Sequence, residues 1–203
     1  QLNPENGELA DTGNQHDSEV DDTKDEGVTQ NYEEAVEPLP ETVEKGNADA
    51  QFDRGVRYAI NKNVANNQQL AVLWYRKAAE QGHISAQFNL GVRYVLGKGV
   101  EQDYKEAARW YRKAAEQGHA DAQFNLGLRY SKGEGVEQNQ QLAAQWYRKA
   151  AEQRHIKAQF NLGIRYYHGQ GVTKDYALAK KWLEKAFDNG DEEAAKFLEE
   201  KEL

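Results

Sequence analysis

The 203-residue sequence has no cysteine and no methionine, and its three prolines, Pro4, Pro38 and Pro40, all fall within the first 40 positions. Without cysteine there are no disulfides, no thiolate metal ligands and no thiol nucleophile. No apolar run approaches the ~18 residues that span a bilayer, and no charged-then-apolar start is present, so neither a membrane span nor an intact signal peptide is expected. The chain starts at Gln1. With methionine absent throughout, it reads as a matured export product or a trimmed chain, with a lean to export. The serines are few (Ser18, Ser85 and Ser131) and lie in the tail or beside helix ends, so no nucleophile, base and orienting acid occur together. No catalytic residue, cofactor or metal is expected.

Charge divides the chain. Residues 1–49 carry fifteen acids against Lys24 and Lys45, whereas residues 50–203 carry 24 bases and 19 acids. The modest positive balance of the second part leaves no nucleic-acid footprint. Residues 1–48 are rich in Asp, Glu, Asn, Gly and Thr without apolar periodicity. Such a composition predicts a disordered acidic leader, because too little surface is buried to offset the entropy of ordering. By coil statistics it reaches about 35–42 Å. That length suits a flexible tether, the preferred role, or a cover for a basic ladder in the same chain.

From Ala50 the text repeats every 36 residues: AQFDRGVRY at 50, AQFNLGVRY at 86, AQFNLGLRY at 122 and AQFNLGIRY at 158, each followed by a tryptophan (Trp74, Trp110, Trp146, Trp182). Such periodicity is the mark of a stacked repeat architecture. Each unit reads as helix, glycine loop, helix, turn. The first helix is expected to be capped at Asp49, Ser85 or Asp121, with Lys157 a poor cap in the last copy. Its Ala, Leu and Tyr (Ala86, Leu90, Tyr94) fall on one flank and Phe88 with Val92 on another, so it is buried on two sides. The loops GKGV, GEGV and GQGV use paired glycines for turn geometry, with Asn61 and Asn63 standing in for them in the first unit. The second helix is opened by Asn67, Asp103, Asn139 and Asp175, with Asp103 and Glu106 forming a capping box. It closes at Gly82, Gly118 or Gly190, and Arg154 breaks that pattern.

The ends deviate as the ends of a stack should. Arg54 replaces the recurring leucine (Leu90, Leu126, Leu162), and DEEAAKFLEEKEL at the C-terminus reads as a lone first helix with Lys196 in place of phenylalanine. The division is therefore a leader over 1–48 and a solenoid over 49–203, with repeats 50–85, 86–121, 122–157 and 158–193 and a capping helix over 191–203.

The pattern A-x-x-x-L-G-x-x-Y-x-x-G-x-G-V, then D or N, then A-x-x-W-Y-x-K-A-A-x-x-G, resembles the Sel-1-like repeat family, relatives of tetratricopeptide repeats. The resemblance covers residues 50–193. It implies an all-α, right-handed superhelix of helix pairs that serves as an adaptor for protein complexes, in bacteria often in envelope, signalling or host-contact settings. A cysteine-rich branch of the family is associated with β-lactam binding or hydrolysis, but its paired cysteines are missing here, which makes an enzyme a distant alternative.

The sharpest site candidate is a polar strip on the first helices: Asn89 with Arg93, Asn125 with Arg129 and Asn161 with Arg165, with Arg57 in the first unit. Stacked at helix spacing, these form a ladder of amides and guanidinium forks at steps of ~8–10 Å, suited to an acidic or C-terminal peptide segment. The competing reading is that near-identical units copy these residues for structure alone. Phe88, Tyr94, Trp110 and Tyr111 are read as core. His83, His119 and His155 lie one unit apart, too far to share an ion with ligands at ~2 Å. The Arg–Lys pairs at 76/77, 112/113 and 148/149 are read as a solvated outer face. The function that follows is a protein-interaction scaffold binding a protein or peptide in its groove. The alternative within binding proteins is an exported immunity or regulatory protein that masks one partner.

Overall fold

The repeat phase fixes where helices start and stop, and the turns carry it out. In the computed structural model, which describes residues 46–60 and 66–203, nine α-helices occur among the described residues. They are α1 (Ala48–Ile60), α2 (Asn67–Glu80), α3 (Ile84–Leu96), α4 (Tyr104–Glu116), α5 (Ala120–Lys132), α6 (Gln140–Glu152), α7 (Ile156–His168), α8 (Tyr176–Asp188) and α9 (Glu192–Glu200). Each packs on its neighbours in sequence, and the described residues contain no strand. The result is an all-α solenoid of four helix pairs closed by a ninth helix. Residues 1–45 of the acidic leader and the first glycine-like loop, Asn61 to Asn63, fall outside the described residues, whereas Asn47 and Ala48, counted with the leader, cap and open α1.

The second helix of each pair is capped as its sequence predicts in three repeats. Asp103 Oδ1 accepts from the backbone N–H of Lys105 and Glu106, Asn139 Oδ1 from Leu142, and Asp175 Oδ1 from Leu178. The capping box is half formed, because the Glu106 carboxylate turns to Arg109 at 3.1 Å. In the first repeat α2 starts one position earlier: Asn67 is its first helical residue, and Asn66 before it makes no side-chain cap bond.

The first helices correct the expected caps. They start one residue before Asp49, Ser85, Asp121 and Lys157, so the cap falls two residues before each. The acceptors are His83 Nδ1, His119 Nδ1 and His155 Nδ1, taking the N–H of Ala86, Ala122 and Ala158 at 3.1, 3.3 and 3.1 Å. Asn47 Oδ1 does the same for α1, accepting from Asp49 and Ala50. An imidazole nitrogen satisfies an orphan helix N–H as a carboxylate would.

Small residues set how closely the helices approach. Ala86 and Leu90 of α3 are wholly buried with Ala71, Tyr75 and Ala78 of α2, and the same positions recur at Ala122 with Leu126 and at Ala158 with Leu162. Gly91 lets α3 meet the Tyr111 ring closely, since a Cβ there would stand 2.7 Å from its Cδ1 and Cε1. That ring is almost fully buried. The loop glycines Gly99, Gly135 and Gly171 combine positive φ with backbone contact to Gln68, Tyr104 and Gln140 at the start of the preceding pair's second helix. No other residue suits both demands.

At the N-terminal end Arg54 is half-buried. It lies over Trp74 at 5.1 Å and donates to Tyr58 Oη at 3.2 Å. At the other end Lys196 of α9 is exposed while Phe197 and Leu198 pack against Leu183.

Candidate partner-binding surface

The strip expected to line an open furrow divides in the structure. Arg57 is exposed, Arg93 is half-buried, and Arg129 and Arg165 are only 5 % exposed. The expectation that these guanidinium groups stand free is therefore corrected for the third and fourth repeats. Arg165 donates to Ser131 Oγ at 2.6 Å, Gln140 Oε1 at 2.8 Å and the Gln170 carbonyl at 3.3 Å, and lies over Tyr147 at 5.0 Å. Burial holds its pKa below the usual arginine value, opposed by Tyr147. Arg129 pairs with Glu134 and covers the Tyr104 ring. Arg93 bonds Gln68 and lies over Tyr75.

The Arg–Lys pairs lie at the surface as read, with Arg112, Arg148 and Lys149 exposed and Arg76, Lys77 and Lys113 half-buried, but their heads are engaged by neighbouring rings and hydroxyls. Arg76 and Arg112 donate to Tyr94 Oη and Tyr130 Oη at 2.8 and 2.7 Å, and Arg148 does the same to Tyr166. Lys77, Lys113, Lys149 and Lys185 place their ammonium groups 4.2–4.7 Å from the tryptophan of the same helix. The seams between repeats thus set Tyr-Arg of one helix against Arg-Tyr of the next, with Arg93 and Arg165 returning the contact over Tyr75 and Tyr147 and Arg129 covering Tyr104 instead. Burial raises the pKa of Tyr75, Tyr111 and Tyr147, and the facing arginine opposes that rise.

A second set of seam residues went unread in the sequence. Gln87, Gln123 and Gln159 are buried and donate to the carbonyls of Ala79, Ala115 and Ala151 at 3.0–3.2 Å. Their own oxygens accept from Gln117, Gln153 and Asn189 at 2.7, 2.8 and 3.1 Å. The available signal was a polar residue recurring at one phase on the apolar flank of every first helix.

The histidines serve the turns. Their rings stack on Phe52, Phe88 and Phe124 at 4.5–4.6 Å, and His83 and His155 face Asp49 and Asp121 at 3.3 and 3.2 Å. Among the described residues no three His, Asp, Glu or Cys side chains come together as a metal would require.

What remains partly exposed on the first helices is a stripe opposite their most buried side, in which Val92 and Ile164 also pack against the core of the next seam. In α3 it is Ser85, Asn89, Val92 and Leu96; in α5, Asp121, Asn125, Leu128 and Lys132; in α7, Lys157, Asn161, Ile164 and His168. Asn125 and Asn161 donate to the carbonyls four residues back at 2.8 and 2.9 Å. The middle of the stripe, amide beside branched aliphatic, is half-exposed in all three helices.

The Sel1 repeat signature matches residues 24–37, 48–83, 84–119, 120–155 and 156–191. The first match lies within the segment read as a leader, where Gly27 and Val28 stand one repeat length before Asn63 and Val64. Among solved structures, the chain is similar to a protective antigen of uropathogenic Escherichia coli displaying an SLR fold, with 40 % identity and a TM-score of 0.74 over 78 % of this chain. It spans only about a third, 34 %, of that antigen's length. A Sel1 repeat protein from Oxalobacter formigenes is 39 % identical at a TM-score of 0.74, with 86 % of this chain and 72 % of that one covered. The cysteine-rich protein B of Helicobacter pylori is 26 % identical at a TM-score of 0.53, covering 68 % of this chain and all of that one. No curated protein matches the chain.

Proposed function

The chain belongs to the Sel1 repeat family, whose members commonly mediate protein–protein interaction and are typically non-catalytic, and we propose that this one is a scaffold holding a partner segment along the outward stripe of its first helices. The observation that carries the reading is the recurrence of a half-exposed amide and aliphatic pair (Asn89 with Val92, Asn125 with Leu128, Asn161 with Ile164) at one phase of successive repeats. An amide offers both a donor and an acceptor to a partner's main chain, and the aliphatic group beside it offers apolar area. Among the expected ligands, the asparagines and Arg57 keep that role. Arg93, Arg129 and Arg165 act instead by fixing the spacing of the helices that carry the stripe. No described helix is long and apolar enough to cross a membrane.

Affinity capture with the wild type beside an Asn89→Glu, Asn125→Glu, Asn161→Glu variant tests the proposal. These half-exposed positions tolerate the change without loss of helicity, so circular dichroism stays constant. Partners bound by the wild type and absent from the variant are the expected result. An identical set from both removes the stripe as the binding surface.

A further inference from the structure

Three of the four turns after a second helix place a glycine in the left-handed region: Gly82 at φ 88°, Gly118 at 93° and Gly190 at 100°. The third turn puts Arg154 there, at φ 65°. A side chain resists this conformation because its Cβ crowds the following carbonyl oxygen. Packing gives no reason for the exchange, since the space around the three glycines is open. A strained arginine kept where glycine sits at ease points to work for its side chain.

The surroundings of Arg154 differ from the other turns in a second respect. Asn189 stands where the earlier repeats have Gln81, Gln117 and Gln153, one methylene shorter, and its bond to the first-helix glutamine lengthens from 2.7–2.8 Å to 3.1 Å. An open cleft lies here, with Gln159 and Trp182 in its lining, Arg154 and Lys185 as its two cations and Glu152 as its one acid. Arg154 is exposed and commits Nη2 to Asn189 Oδ1 at 3.1 Å, and Lys185 lies 4.6 Å from the Trp182 ring centre.

We propose that this cleft takes the carboxylate of a single Asp or Glu side chain from a partner segment, between the Arg154 guanidinium and the Lys185 ammonium, with the acid's methylene stem against Trp182. A fork with unspent donors beside a point cation is suited to one carboxylate. Glu152 repels a second acid and so selects an isolated acid over a polyacidic run. This site rests on the scaffold reading above but uses other residues, at the far end of the second helices.

The test is fluorescence anisotropy of the full chain with acetylated, amidated Gly/Ser heptapeptides carrying one central Glu, the same peptide with Gln, and the Gln peptide with a free C-terminal acid. The Glu peptide is expected to bind on the order of tenfold tighter than either of the others, as a charge-assisted pair provides. Arg154→Gly is expected to raise the melting temperature and abolish that preference together, and Lys185→Gln to weaken it at unchanged melting temperature. Equal binding of the Glu and Gln peptides, a free C-terminus as the preferred group, or a preference that survives Arg154→Gly overturns the assignment. Capture through the stripe of the first helices is measured separately with the asparagine variant, so failure of the peptide preference with capture intact removes this site alone.

Discussion

Arg112 and Tyr130, eighteen residues apart, meet across the seam between the second and third helix pairs with Nη2 donating to Oη at 2.7 Å. Their chain neighbours, Tyr111 and Arg129, belong to the same seam, where the Arg129 charge opposes the effect of burial on the Tyr111 phenol while its guanidinium covers Tyr104. The exchange occupies the arginines that would otherwise have formed a ladder for ligands.

Removing Arg165 tests that role. With alanine there, Ser131 Oγ, Gln140 Oε1 and the Gln170 carbonyl lose a buried donor, and a loss of about 2–3 kcal/mol is expected. Arg57→Ala, at the exposed equivalent, should stay within about 0.5 kcal/mol. Urea denaturation of the two variants decides it, and equal midpoints would refute the seam role.

Acid should weaken the turns. His119 and His155 must stay neutral at Nδ1 to accept their cap bonds, and burial holds both pKa values below the usual histidine range against the pull of Asp121, with Lys157 adding to the depression at His155. Protons therefore prefer the unfolded chain. The stability contributed by these caps is complete above about pH 6.5, the unfolded value, and is lost as pH falls through the lower folded values. Melting temperatures at pH 7.5 and 5.5, a window above most carboxylate titration, should show the fall. His119→Asn, which copies the cap at Asn47, should reduce it; an undiminished slope in that variant would assign the pH response to other groups.

Gly118→Ala isolates a backbone effect. The residue sits at φ 93° with nothing within 4 Å of an added Cβ, so any loss comes from conformation alone. A cost of roughly 1–2 kcal/mol is expected from the left-handed penalty. A melting temperature equal to the wild type would contradict the assigned turn geometry.

Gln123→Leu removes a seam amide that donates to Ala115 O and accepts from Gln153. The Ala115 carbonyl, in a buried bond, and the Gln153 amide at the seam's edge lose their partner, for about 1–3 kcal/mol. The double variant with Gln153→Leu should cost less than the sum of the two single changes, since both remove the same bond. Simple additivity in a double-mutant cycle would argue against the bridge.

Most of the architecture was legible because it is written in phase. Alanine, leucine, glycine and tryptophan recur every 36 residues, and aspartate or asparagine opens three of the four second helices as read. The first-helix caps were misread because Asp49, Ser85 and Asp121 are conventional caps, whereas His83, His119 and His155 act through a ring nitrogen two residues earlier. The arginines were misplaced for a different reason. Angular position along a helix gives the direction of the Cα–Cβ bond, and a long side chain leaving near the edge of the buried side bends back into the seam. The candidate stripe was half legible, its asparagines placed on an outward face and its arginines not. The glutamines were invisible as partners, since nothing in one strand of text says which residue of the next turn an amide will meet.

The seam exchange also bears on how such an array lengthens or shortens. Excising residues 120–155 would bring Arg112 opposite Tyr166, leave His119 to cap α7 and return Gln159 to the Ala115 carbonyl, so the new joint would keep these bonds, while Arg165 would meet Val95 and Tyr104 where it now bonds Ser131 and Gln140. Gain or loss of whole units by recombination therefore preserves the caps, the glutamine bridge and the outer Arg–Tyr bond and unsettles only the inner arginine, so the number of repeats can follow the length of whatever the surface has to span.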